Sequence, residues 1–176
     1  MPGRKPLPRA VPVVEIVQES AQWRALADAE IIVRDAIAAA AELCGDVPVA
    51  CEVAVMLSDD AAIRTLNAQW RSIDRPTNVL SFPADASASP EDGPRMLGDI
   101  VIAYEYMKRE AALEDKPLAA HLAHLTVHGF LHLLGYDHMT DEEAELMEGL
   151  ETRILATMGI ADPYGNPAAA RAIHRE

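Results

Sequence analysis

The 176-residue sequence predicts an α+β fold: a single domain in which a small, mixed four-stranded sheet packs with about five helices. Three observations lead there. Valine-rich runs with strand character are interspersed with longer segments whose apolar residues recur at helical spacing. The two kinds do not alternate strictly, as a doubly wound sheet requires; the order reads strand, helix, strand, helix, strand, strand, then three helices. A chain of this length, 50% hydrophobic and 24% charged, suits one core of ordinary size.

Residues 1–10 are basic and rich in proline, and read as a flexible N-terminus ahead of a domain spanning 11–160. Residues 11–18 alternate imperfectly and form the first strand. Residues 21–43 read as one long helix, with Leu26, Ile32, Val33, Ile37 and Ala40 near helical spacing, stopped by Gly45. Residues 47–57 form a valine-rich strand. Ser58 is the expected N-cap of the next helix, with Asp59 and Asp60 in its first turn and Ile63, Leu66 and Trp70 along it. Residues 71–78 are polar, contain Pro76 and read as a loop. A short strand, 79–82, ends at Pro83. The stretch 84–95, rich in Ser, Pro, Asp and Gly, reads as an exposed loop. A strand at 97–103 precedes a helix running to about Leu113. Pro117 opens a helix that Gly135 stops. Thr140 and Glu143 have the form of a capping box for the last helix, which ends near Gly159; 161–176 read as a flexible tail. No internal repeat is visible.

Bulk properties narrow the function classes. No apolar run approaches the roughly 18–20 residues that span a bilayer, so no membrane role is expected. The N-terminal stretch lacks an apolar secretory segment, so a cytoplasmic location is expected. Cys44 and Cys51 are too few and wrongly spaced for a disulfide framework, and read as core or boundary residues. A net charge of −13 argues against a protein that coats nucleic acid broadly, but leaves room for a local basic groove.

Five of the six histidines lie between His121 and His138. His128 and His132 form an HxxxH pair on one helix face, as in zincin-like helices, about 6 Å apart along the axis. Gly135 lets the chain leave the helix in a left-handed conformation and bring His138 back to that face. Three neutral imidazoles leave one tetrahedral position for water, the pattern of a catalytic zinc site. His128, His132 and His138 are therefore the expected ligands of one metal ion. Asp137 either orients an imidazole or caps the turn. His121 and His124 read as packed histidines. Zinc proteases place their general base directly after the first helix histidine; here that position is Gly129, so a protease reading lacks its acid.

The run His128-Gly129-Phe130-Leu131-His132-Leu133-Leu134-Gly135-Tyr136-Asp137-His138 resembles the signature of the YbeY family of bacterial rRNA maturation factors. Two further blocks agree and come in the family's order: residues 66–83, which include Trp70, Arg71 and the Thr77-Asn78-Val79-Leu80-Ser81-Phe82-Pro83 segment, and residues 97–102. The likeness covers roughly 47–158. It implies a zinc-dependent, single-strand-specific endoribonuclease acting in 16S rRNA 3′-end maturation and ribosome quality control, with rRNA or other single-stranded RNA and ribosome-associated proteins as partners. It implies His128, His132 and His138 as metal ligands, with Arg71 and His128 serving catalysis. Where the family has an aspartate, this chain has Asn78.

From the residues alone Arg71 reads first as a solvated helix-end arginine meeting the last carbonyls; with the resemblance it suits a phosphate clamp, because its planar fork matches phosphate oxygens. Arg64, Arg71, Arg75 and Arg95 are candidates for a basic rim near the metal, while Thr77 and Ser81 are equally turn and strand residues. Either water or the RNA 2′-hydroxyl remains open as the nucleophile, and the sequence sets no oligomeric state. Two other readings compete: a ribosome-assembly factor with a mainly structural metal, and a metallohydrolase for a small molecule or peptide.

Overall fold

The structure is a computed structural model and describes residues 11–165. The expected flexible N-terminus and most of the expected tail lie outside those residues. Among the described residues, four strands form one sheet: β1 (Val13–Gln18), β2 (Cys51–Ser58), β3 (Val79–Pro83) and β4 (Arg95–Ala103), in the order β1-β2-β4-β3. The pairs β1–β2 and β2–β4 are parallel, and β3 joins β4 antiparallel, so the sheet is mixed as expected. Five α-helices accompany it: α1 (Ala29–Cys44), α2 (Asp60–Arg71), α3 (Tyr104–Leu113), α4 (Leu118–Leu133) and α5 (Asp141–Thr157).

Strand alternation divides the core between the two faces of the sheet. Val53, Val55 and Leu57 of β2, with Ile100 and Ile102 of β4, join a large cluster with Val33 and Ile37 of α1 and Leu125 and Phe130 of α4. Leu80 and Val101 face the other way, where Ile63 of α2 covers them with Met56, Leu66 and Phe82. The helix α4 is buried almost throughout, packed between the sheet, α1 and α5. A histidine carried there must find partners inside the protein. None of the described helices is long and apolar enough to cross a membrane.

Several boundaries differ from expectation. The long helix at 21–43 is two pieces: a 3-10 turn, Ala21–Ala25, then α1. Trp23 explains the break, because its indole N–H donates to the Ser58 carbonyl at 2.8 Å and pins the turn to the end of β2. β2 begins at Cys51, beyond Pro48, which has no N–H for a ladder. Ser58 is the last residue of β2, and Asp59 caps α2 instead, accepting from Ala62 N–H at 2.9 Å. Arg71 closes α2 rather than opening the loop. The segment after Ala161 begins packed: Tyr164 reaches the interior beside α4 and α5.

Candidate metal centre

The site starts from the approach of α4 to the sheet. A Cβ on Gly129 would lie 2.9 Å from Ile100 Cγ2 and 3.2 Å from Ser81 Oγ. Ser81 Oγ donates to the Gly129 carbonyl at 3.2 Å. The glycine therefore does more than omit a protease base: the helix lies too near β3 and β4 for a glutamate there. His128 and His132, one turn apart, flank this contact.

After α4 the chain turns as the glycine predicts. Gly135 has φ 97°, its N–H donates to His132 O at 3.0 Å, and Tyr136 N–H donates to Leu131 O at 3.1 Å. This pattern satisfies the last helix carbonyls and reverses the chain. Asp137 caps the reversal, with Oδ1 accepting from His138 N–H at 2.8 Å. His138 returns to the pair, its ring 5.6 Å from His128 and 5.0 Å from His132 between centroids. The ligand atoms of the three side chains all lie within 4.8 Å of one another.

The partners of the other ring nitrogens decide what faces the centre. The Tyr136 carbonyl can only accept, so His132 Nδ1, 2.9 Å away, carries the hydrogen. His128 Nδ1 lies 2.6 Å from Glu151 Oε1 and donates to that carboxylate. Both Nε2 atoms then present lone pairs, and they stand 3.1 Å apart. Two acceptors at that distance repel unless a cation sits between them. Zn–N bonds of about 2.0–2.1 Å in tetrahedral geometry put neighbouring nitrogens about 3.3 Å apart. The His128–His132 pair matches that spacing, and His138 lies close enough to complete a three-histidine donor set for a divalent ion.

Electrostatics agree with a neutral His132. Burial, then the adjacent His128 and His138, hold His132 down to about 4. Burial opposes charge on Glu151, but hydrogen bonds from His124 and His128 outweigh it and keep this carboxyl well below the usual range. His124 Nε2 lies 2.9 Å from Glu151 Oε2, and Tyr164 Oη donates to the same oxygen. Burial and the Glu151 charge push the Tyr164 hydroxyl up, so it stays a donor. Glu151 was missed in the sequence. The available signal was its place among Met147, Leu150 and Ile154, an acid in the buried stripe of α5.

Arg71 and the imidazoles meet in one groove. A cavity of about 410 Å³ is lined by Arg71, Ser81, Tyr136, His132 and His138. A neighbouring cavity of about 260 Å³ shares Arg71 and adds Arg75, Thr77 and Tyr106. The expected four-arginine rim shrinks accordingly. Arg64 is bound by Asp74 at 2.8 Å, and Arg95 lines neither cavity. Asn78 is buried away from the groove: its amide donates to both Glu110 oxygens, at 3.2 and 3.0 Å, and His121 Nε2 contacts Glu110 at 2.9 Å. A neutral amide thus ties β3 to α3 where an aspartate would confront a second carboxylate. His121 and His124 serve as braces outside the ligand group. Cys51 is buried, Cys44 is half-buried, and neither joins that group.

Comparison with known proteins adds an independent line. The profile of the family described as endoribonuclease YbeY matches residues 15–159. A protein of Nitrobacter hamburgensis with that description is 58% identical over 158 residues, covering 88% of this chain and 83% of the relative. One from Bradyrhizobium sp. strain BTAi1, described the same way, is 57% identical over 159 residues, covering 89% and 94%. The solution structure of TM1509 from Thermotoga maritima shares the fold at a TM-score of 0.51 and 23% identity, over 88% of this chain and all of that one.

Proposed function

Because the chain belongs to the endoribonuclease YbeY family, we propose that it is a zinc-dependent, single-strand-specific endoribonuclease that acts in 16S rRNA 3′-end maturation and ribosome quality control. The observation that carries the metal half is the pair of Nε2 lone pairs held 3.1 Å apart, with His138 beside them. A zinc ion bound there supplies Lewis acidity to a phosphodiester and its nucleophile. The protein's own residues do the rest. Glu151 and the Tyr136 carbonyl orient two imidazoles, each by its Nδ1–H. Arg71, across the same groove, holds phosphate oxygens as negative charge grows in the transition state. Ser81 is held by the Gly129 carbonyl, so it shapes the wall.

The groove also ranks the alternatives. A structural zinc site is closed by a fourth protein ligand, whereas two of these three histidines, His132 and His138, line an open cavity of about 410 Å³. An HExxH-type protease carries its base beside the first histidine, and a Cβ at Gly129 would already lie 2.9 Å from Ile100 Cγ2, which leaves no room for one. The test is cleavage of a defined 16S rRNA 3′ precursor with metal analysis of the same preparation. His128→Ala should abolish cleavage, and Arg71→Ala should lower it by about 10²–10³ while zinc content stays at one per chain. Cleavage retained in a clean, metal-poor His128→Ala preparation would refute the assignment.

A further inference from the structure

The helix α2 ends in two neighbours with different surroundings. Arg71 lines the metal groove; Trp70, beside it, is 69% exposed. The chain's other tryptophan, Trp23, is buried and bonded. Trp70 stands edge-to-face with Phe82, ring centroids 5.9 Å apart at 60°. Together they flank a further cavity of about 520 Å³, whose walls include Met56, Leu66, Asp99 and Val101. Ser81 and Pro83 line both this cavity and the metal groove. This second trough therefore adjoins the metal groove along the edge strand β3.

We propose that this trough is a nucleobase subsite, in which a base beside the scissile phosphate leaves its stack and lies against Trp70. The inference rests on the endoribonuclease reading and names what holds the substrate. The chemistry of the walls selects the occupant. They are mainly apolar and aromatic, as a base face requires, and no Lys or Arg lines them. The one charged group is Asp99, which shares its sheet face with Val101. A carboxylate there repels phosphate but accepts hydrogen bonds from a base edge. Guanine offers it two adjacent N–H donors; uracil offers one, set between two carbonyls. A stacked, paired base can do neither, so the subsite accounts for a preference for single strands.

The experiment measures binding of labelled single-stranded RNA octamers, guanine-containing or uridine-only, to the full chain with and without zinc. Cleavage of the same octamers by the zinc-loaded protein is followed in parallel. Wild-type tryptophan emission should be quenched by the single strand and not by a duplex of equal length. Trp70→Ala should weaken binding about tenfold, and Trp70→Phe should recover most of it. Asp99→Asn should erase the preference for guanine over uridine. Both Trp70 variants binding within about twofold of wild type would overturn the subsite. So would a loss confined to ribosomal particles, which would mark the trough as a protein-docking face, or no octamer binding at all. If wild type cleaves and the variants bind normally, only the subsite falls. If wild type binds but never cleaves, the endoribonuclease reading falls and the base site stands.

Discussion

Glu151 does for His128 what the Tyr136 carbonyl does for His132: each takes the Nδ1 hydrogen and leaves Nε2 for the proposed ion. The carboxylate adds charge, so it raises the basicity of its imidazole as well as aiming it. Glu151→Gln keeps the shape and removes the charge; zinc affinity, read by competition with a chelating dye, should drop by about 10–100-fold. The same residues set a pH dependence. Folded His132 takes a proton only near pH 4, against an ordinary value of 6.5, so between those values the unfolded chain binds more protons. The metal-free protein should therefore lose stability as pH falls from 6.5 toward 4, as thermal unfolding across that range will show. The depressed Glu151 acts in the same direction at lower pH still. The three histidines were legible because helix periodicity and one left-handed glycine are local signals. Glu151 lies 23 residues from His128, and Tyr164 13 from Glu151; no spacing rule links them.

The placement of α4 depends on a missing side chain. Gly129→Ala gains about 1 kcal/mol of helix propensity. It also drives a methyl to 2.9 Å from Ile100, a fully buried residue. Overpacking of that kind costs about 1–3 kcal/mol. The net result should be a loss of up to about 2 kcal/mol in urea unfolding, with weaker zinc binding because His128 and His132 shift with the helix. The helix α5, which carries Glu151, starts at a complete capping box between Thr140 and Glu143. Thr140→Ala should cost about 1 kcal/mol in the same assay. That box was readable in the sequence, as was the type of nearly every element. The break at Trp23 was not, because its cause is a hydrogen bond to Ser58, 35 residues away. The role of Asn78 was hidden likewise, since its partner Glu110 sits on another helix.

For the whole molecule, net charge sets the terms of any encounter with RNA. With −13 overall and two arginines, Arg71 in the groove and Arg75 in the neighbouring cavity, few phosphates can be neutralised. Log affinity for single strands should fall with log salt at a slope near −1.4, the value for about two contacts, when binding is measured across a salt series. A much steeper slope would reveal a wider basic surface. Strand order was also beyond the sequence, because β2 pairs with β4 across the whole of α2 and β3. That long-range pairing separates the two halves of the centre. The three histidines lie within one helix and the turn after it, while Arg71 comes from α2, which is placed by its packing on β4 and β3. Damage to the sheet can thus spare the imidazole cluster and still disarm the protein. On the proposed function, zinc content alone is consequently a poor proxy for competence: a preparation can be fully metallated and inert.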